Sequence, residues 1–565
     1  ELLSKFFASV MVNEVDTNIV PLQPPQSGTC SEKLLNVTFT EGNIMKKISK
    51  LKEGKSPGAD EITPEILKKT AGQVTPALKI LYDTSMSSGL LPADWTTGNI
   101  CAIHKKGKKS RCENYRPISL TSIIVKIMES IVRDSIMAHF QKNKLFCKEQ
   151  YGFLPGRTTS LQLLNVLDKW TEALDRGDYV EAIYLDFQKA FDTVPHRRLL
   201  HKLEYYGISG ELLSWIESFL TNRVQRVVIN GKMSAPQNVR SGIPQGSVLG
   251  PVLFVIYIND LPSTLRNVAL MFADDTKLYK IVNTRSQDQN QPDTLEEDMK
   301  SLDRWSRNWL LKFNVDKCKQ MYVHKPRTEI TKIPRYLNSI DQPNSQQTEL
   351  KTTTHEKDLG ITIDSNLSFK LHISNCISKA SRNMGIIRRT FTYLDESIFK
   401  PLYTTLVRSH LDYGHSIWTP YHVQEIRRLE QVQRSATRLV NNFKEVPYPE
   451  RLKRLQLSTL AFRRLRGDMI ETYKILHHVY DQEISPKFTM DVSGRRGNDL
   501  KLFVEGGFRS NIRKYSFKNR VIKHWNSLPN EVVMAPSVNT FKNKIDKHWR
   551  HHPSRYDPDS LDELL

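Results

Sequence analysis

The spacing of apolar positions changes several times along the chain, and each change marks an element. Asn43–Glu53 has helical spacing and is closed by Gly54. Thr63 caps a second helix with Pro64 in its first turn, where the missing N–H costs nothing. Asn99–Ile103 reads as a strand that runs into the basic loop His104-Lys105-Lys106-Gly107-Lys108-Lys109. Ser119–Phe140 and Leu161–Arg176 are apolar at helical spacing, and Gly177 stops the second. The middle of the chain then turns to strands. Tyr179–Leu185 is a strand ending at Asp186, followed by a helix over His196–Tyr206 that Gly207 stops. Arg223–Ile229 and Lys232–Val239 flank Asn230-Gly231, a pair suited to the turn that matches strand twist. Ser247–Asn259 predicts a buried helix. Val268–Ala273 and Thr276–Ile281 predict a second hairpin turning at Asp274-Asp275, and Thr294–Lys312 is helical.

From about Phe369 onward the pattern is mostly helical and basic, with an irregular stretch over 484–515. Residues 1–42 read as an irregular linker with a Pro/Gln/Ser-rich stretch at Pro21–Gly28. The polar stretches Arg285–Asp293 and Asp341–Thr348 read as exposed loops or lobe boundaries, and no internal repeat is visible. Strands and helices alternate irregularly around one sheet, which predicts an α+β fold rather than a doubly wound one.

Composition narrows the class. A chain of 565 residues with 39% hydrophobic and 25% charged residues is neither fibrous nor largely disordered. It has no apolar run of membrane-spanning length. The first residues, Glu1-Leu2-Leu3-Ser4-Lys5, resemble neither a start nor a secretory signal, so a fragment of a longer product is expected. The formal charge of +21 favours a polyanionic partner, most simply nucleic acid. The six cysteines, Cys30, Cys101, Cys112, Cys147, Cys318 and Cys376, form no Cys-x-x-Cys pair and are too sparse for a disulfide framework.

The candidate chemistry is carried by acids. Asp274-Asp275 sits at a tight turn between apolar strands, where neither residue is glycine and adjacent carboxylates repel. Taken alone, the pair reads as an exposed acidic turn. Asp186 changes that reading, because a carboxylate leaving the end of an apolar strand can meet the hairpin tip at one edge of a sheet. Three such acids suit two hard divalent cations and in-line phosphoryl displacement. Asp192 reads as a local turn or cap acid.

Three segments, Tyr184-Leu185-Asp186-Phe187-Gln188-Lys189-Ala190-Phe191-Asp192, Ser241-Gly242-Ile243-Pro244-Gln245-Gly246-Ser247 and Phe272-Ala273-Asp274-Asp275, come in the order and at the spacing of three polymerase motifs. They resemble motifs A, B and C of a reverse transcriptase of the non-LTR (LINE-like) retrotransposon type, in its jockey-like and chicken-repeat-like groups. Asn114-Tyr115-Arg116-Pro117-Ile118-Ser119-Leu120 resembles a finger motif. Tyr151-Gly152-Phe153-Leu154-Pro155-Gly156-Arg157 resembles the added segment 2a, and Leu359-Gly360-Ile361-Thr362-Ile363-Asp364 a primer grip. Segments near Leu429–Arg438 and Trp525–Pro529 are also similar to such elements, so the likeness covers roughly residues 35–550.

The resemblance implies a right-hand polymerase with fingers and palm around an antiparallel sheet. A mostly helical, basic thumb and C-terminal region would follow. Its divisions fall at 1–42, 43–335, 336–445 and 446–565. It implies that Asp186, Asp274 and Asp275 hold two Mg2+ ions, with Mn2+ a substitute, and that these are the catalytic acids. Lys105 (or Lys106) and Arg116 would grip the triphosphate. Phe191 would act as a steric gate against a 2′-hydroxyl, and Gln245 would line the nucleotide, with Gly242 and Gly246 allowing close backbone approach to a ligand. Lys317 (or Lys319) would protonate pyrophosphate. Arg157, Gly246 and Gly360 would face template and primer.

Bland readings stand beside these: core packing for Phe191, a solvated basic loop for Lys105–Arg111, surface solvation for Lys317. The implied partners are an RNA template, a DNA primer and deoxynucleoside triphosphates, with no membrane and a nuclear and cytoplasmic ribonucleoprotein setting. An upstream nuclease and target-primed reverse transcription are implied by the family alone. An intron maturase-like transcriptase and a catalytically silent or domesticated RNA-binding protein are the competing readings.

Overall fold

A computed structural model describes residues 1–14, 32–285, 292–338, 347–491 and 497–561. The stretch Pro21–Gly28, Cys30 and most of the two polar stretches at Arg285–Asp293 and Asp341–Thr348 lie outside these residues.

The main sheet has five strands in the order Lys351–Thr353, Lys319–Val323, Tyr179–Leu185, Asp275–Val282 and Val268–Phe272. All neighbours are antiparallel except the first pair. Tyr179–Leu185 lies at its centre and is buried along almost its whole length. Both faces of the sheet are covered, which explains its near-continuous apolar run. Val180 and Ala182 join the core built with the helix Thr159–Arg176 and with the C-terminal helices, through residues such as Trp418, Phe462 and Trp525. Ile183 and Leu185 face the opposite core, formed with the helices Ile123–Lys142, His196–Tyr205, Gly250–Tyr257 and Thr294–Trp309. The C-terminal helices therefore share a core with the sheet, and the fold is mixed α+β.

A second sheet runs Tyr115–Leu120, Thr97–His104, Val224–Ile229, Lys232–Met233, with Gln237–Asn238 also on Val224–Ile229. The Asn230-Gly231 turn forms, both residues having positive φ, but the arm expected over Lys232–Val239 is two short strands, Lys232–Met233 and Gln237–Asn238, each paired with Val224–Ile229.

Three expectations are corrected. The helix expected from Ser119 begins at Ile123, where Ser122 accepts from Val125 N. Tyr115–Leu120 is instead a strand on Thr97–His104, because Pro117 favours extended backbone at Arg116 and the strand has a partner. The first residues are not irregular: Leu2–Ser9 is a helix whose Phe7 is buried against Ile100 and Val227. The acidic turn also shifts by one residue. Phe272 pairs with Asp275, so Ala273-Asp274 makes the turn and Asp275 begins a strand.

Candidate active site

Strand register brings the acids to one edge of the main sheet. Leu185 pairs with Thr276, so the residues one step further along each strand, Asp186 and Asp275, leave the sheet at the same place. Asp274 sits beside them on the hairpin tip. Ala273, before it, has φ +54°, a left-handed conformation uncommon for a residue with a side chain. Asp186 and Asp275 line one cleft of about 180 Å³ together with Lys317, Lys277, Glu356 and Asp358.

The acids feel one another. Burial raises the Asp274 carboxyl, and Asp186 adds to the effect, while Arg116 and Lys105 oppose it. Asp275 is pushed up to about 6 by burial, then by Asp274, Asp186 and Asp358, with Lys277 opposing. Burial pushes the Lys105 ammonium down, helped by Arg116 and Lys317, and Asp186 opposes. Lys105 and Arg116, from one strand pair, and Lys317 thus lie within electrostatic reach of the acidic edge. Lys317 is the nearest: its Nζ donates to Asp186 Oδ2 at 2.7 Å, and its side chain remains 54% exposed. The backbone reinforces this placement, because Asn314 N donates to Asp186 O at 2.7 Å and Lys317 N to Asn314 O at 2.9 Å.

On the nucleotide side, Arg116 pairs with Ile103 across the second sheet, and Lys105 N donates to Asn114 O at 2.8 Å. The Phe191 ring is half-buried and stacks on Phe254 with centroids 4.5 Å apart. Gln245 has a partner that the sequence did not suggest: its Nε2 donates to Asp192 Oδ1 at 2.7 Å, and its carbonyl accepts from Ser119 N at 2.7 Å. Asp192 is therefore a positioning acid for the Pro-Gln-Gly loop rather than a turn cap. The two glycines of that loop are required by the chain's own packing. A Cβ on Gly242 would lie 2.6 Å from Asp192 O, and one on Gly246 2.3 Å from Ser119 O, both at positive φ.

Of the residues expected at template or primer, Arg157 is placed differently, whereas Gly360 turns a hairpin beside the acidic cleft. The Arg157 side chain is only 9% exposed and is committed internally, to Asp481 at 2.9 Å and to the carbonyls of Cys147 and Gln150 at 2.8 and 2.6 Å. It braces the protein rather than reaching out to a phosphate. Gly360 lies in a two-residue turn between His355–Asp358 and Ile361–Asp364, with φ +91° and Leu359 also positive. A Cβ there would touch the Tyr413 ring at 3.0 Å. The hairpin it turns borders the acidic cleft through Asp358, which forms a buried ion pair with Lys277. Sequence reasoning missed that pair. Lys277 could have been found, two residues past Asp275 on the same strand face; nothing in the local sequence points to Asp358.

The donors at this edge are all carboxylate oxygens, the hard ligands that suit Mg2+. Their mutual repulsion, seen in Asp275, is the kind a divalent cation relieves, so the residues fit such an ion chemically. Among the described residues no three His, Cys, Asp or Glu side chains already converge as a cage.

Residues 103–363 match the family model described as reverse transcriptase (RNA-dependent DNA polymerase). The chain is 27% identical over 422 residues to the probable RNA-directed DNA polymerase from transposon BS of Drosophila melanogaster, an alignment covering 71% of this chain and 44% of that protein. It is 29% identical over 355 residues to the RNA-directed DNA polymerase from mobile element jockey of Drosophila melanogaster, and 30% identical over 355 residues to that of Drosophila funebris. These two alignments cover 60% of this chain and 36% of each relative. The chain spans less than half the length of these curated relatives.

Proposed function

We propose that this chain, whose residues 103–363 match the reverse transcriptase family model and which is similar to the polymerases of transposon BS and mobile element jockey, adds deoxynucleotides to a DNA primer on an RNA template. The observation that carries the reading is that strand register sets Asp186, Asp274 and Asp275 at one sheet edge, with Lys317 bonded to Asp186 and Arg116 and Lys105 within electrostatic reach.

In this reading the main sheet is the palm, the second sheet belongs to the fingers, and the helices after Lys370 hold the duplex by its phosphates. A basic helical surface suits that task without reading sequence. Asp186, Asp274 and Asp275 would hold two Mg2+ ions, which when bound supply charge neutralisation at the α-phosphate and a lowered pKa for the primer 3′-hydroxyl. The chain's own groups do the rest. Arg116 offers a planar fork to phosphate oxygens, and Lys105 adds a point charge. Lys317, exposed and bonded to Asp186, would protonate the leaving pyrophosphate. Phe191, its ring stacked on Phe254, would be the gate against a 2′-hydroxyl. Gln245, fixed by Asp192, orients the base. Use of a nicked genomic target as primer belongs to the same proposal.

The test is extension of a DNA primer on a defined RNA template by the purified chain. Incorporation of the complementary deoxynucleotide, dependent on Mg2+ or Mn2+, supports the reading. A folded chain that binds the hybrid yet incorporates nothing with either ion overturns it.

A further inference from the structure

The hairpin tip that carries Asp274 is not held by its own strands alone. Ala273 is 4% exposed and sits at φ +54°, so its conformation needs support from outside the turn. That support comes from Gln150, far away in sequence and fully buried. One oxygen of Gln150, Oε1, accepts from Ala273 N at 2.9 Å and from Gly152 N at 2.7 Å. Two N–H donors converge on this atom, so it must be the oxygen of the amide. The segment around Gln150 runs along the edge strand Val268–Phe272: Met271 N donates to Glu149 O at 2.9 Å and Tyr151 N to Met271 O at 2.8 Å. The segment is clamped in turn from the other side. Arg157 donates to the Gln150 carbonyl at 2.6 Å and to that of Cys147 at 2.8 Å, and its remaining edge grips Asp481 at 2.9 Å. Asp481 belongs to the C-terminal helical region, and its own N–H reaches Gly156 O at 3.1 Å.

We infer that Gln150 is a positioning residue for Asp274, and that the Asp481–Arg157 contact makes the C-terminal region a structural support of the catalytic hairpin. The chain of contacts is continuous: Asp481 to Arg157, Arg157 to the Gln150 carbonyl, the Gln150 amide to Ala273 N–H, and Ala273 by its peptide bond to Asp274. The first three links are hydrogen bonds in buried or half-buried places, where an unmade bond is expensive. The inference rests on the polymerase reading for its kinetic consequence, but not for its structural one.

Two readouts therefore test it. Gln150→Leu removes the acceptor. The rate of nucleotide addition at saturating substrate should fall about 30- to 100-fold, as expected for a misplaced catalytic group, with primer–template affinity within about twofold. Hydrogen exchange in the peptide spanning the Ala273 turn should quicken by at least about tenfold. Gln150→Glu keeps an oxygen in place and should restore most of that protection. Asp481→Ala, partly exposed and distant from the reacting atoms, should show the same pattern more weakly, about three- to tenfold in rate, and it decides the matter if Gln150→Leu does not fold. Wild-type rate and wild-type exchange in the folded variants overturn the inference. An inactive wild-type chain would refute the polymerase reading instead, and the exchange data would still judge Gln150.

Discussion

Adding one methyl group at Gly152 should disable the catalytic hairpin without touching an acid. A Cβ built there lies 2.5 Å from the backbone N of Ala273, 3.0 Å from Gln150 Oε1 and 3.0 Å from the Phe272 carbonyl carbon. Real Cβ atoms essentially never come within 3.0 Å of a heavy atom, and comfortable contact begins near 3.4 Å. The two backbones must therefore part by about 0.5 to 0.9 Å, and neither is a flexible side-chain end that could yield cheaply. The segment cannot simply slide away, because Tyr151 N and Glu149 O are bonded to Met271. The displacement falls on Ala273, and so on Asp274. A shift approaching 1 Å at a reacting group costs on the order of 100-fold in rate, so Gly152→Ala should lose about 10- to 100-fold. Overpacking should also cost about 1–3 kcal/mol of stability. Single-turnover extension on a preformed primer–template complex isolates the chemical step, and a thermal melt confirms folding. A folded Gly152→Ala protein that extends within about twofold of wild type would refute the claim that this contact sets the hairpin.

Other perturbations test other parts of the account. Lys277→Met leaves Asp358 buried without its partner and should destabilise the protein by about 3–5 kcal/mol, read as a lower denaturation midpoint; an unchanged midpoint would show the pair to be inert. Burial and the neighbouring acids push the Asp275 carboxyl up to about 6 from an ordinary value of about 4, so its ionisation opposes folding. That penalty is absent below about pH 4, grows as the pH rises to about 6, and is constant above. Asp275→Asn should accordingly raise the melting temperature at pH 7.5 and leave it unchanged at pH 4 in metal-free buffer, whereas an equal effect at both values would contradict the repulsion. Phe191→Ala, which removes the ring stacked on Phe254, should admit ribonucleotides; unchanged sugar selectivity in competition assays would remove Phe191 from the gate.

The three acids could be read from the sequence because each lies at the end, the start or the connecting turn of strongly patterned strands. Tyr179–Leu185 and Val268–Phe272 announce themselves by apolar runs, and the two-residue tip leaves little freedom in where Asp274 can go. Boundaries were harder where tertiary pairing overrides local propensity. Tyr115–Leu120 has helix-compatible residues at its end, yet it pairs with Thr97–His104. The short helix Leu2–Ser9 gave a weak signal because it rests on only a small apolar cluster. What stayed invisible were the contacts between distant segments: Gln245 with Asp192, Lys277 with Asp358, Gln150 with Ala273, Arg157 with Asp481. None has a periodicity or a spacing of its own. Arg157 shows the consequence, since a free arginine and a braced one look identical in sequence.

The central claim is that the acidic edge performs nucleotide transfer while the basic surfaces only hold the hybrid. Addition of one deoxynucleotide to a DNA primer on an RNA template, by wild type and Asp274→Asn at matched occupancy of the hybrid, separates the two most directly. The account expects incorporation by wild type and a loss of about 100- to 1,000-fold or more in rate in the variant, the scale of removing an electrostatic group that stabilises the transition state. Hybrid affinity and its salt dependence should stay within about twofold of wild type. Incorporation by Asp274→Asn at the wild-type rate would contradict it.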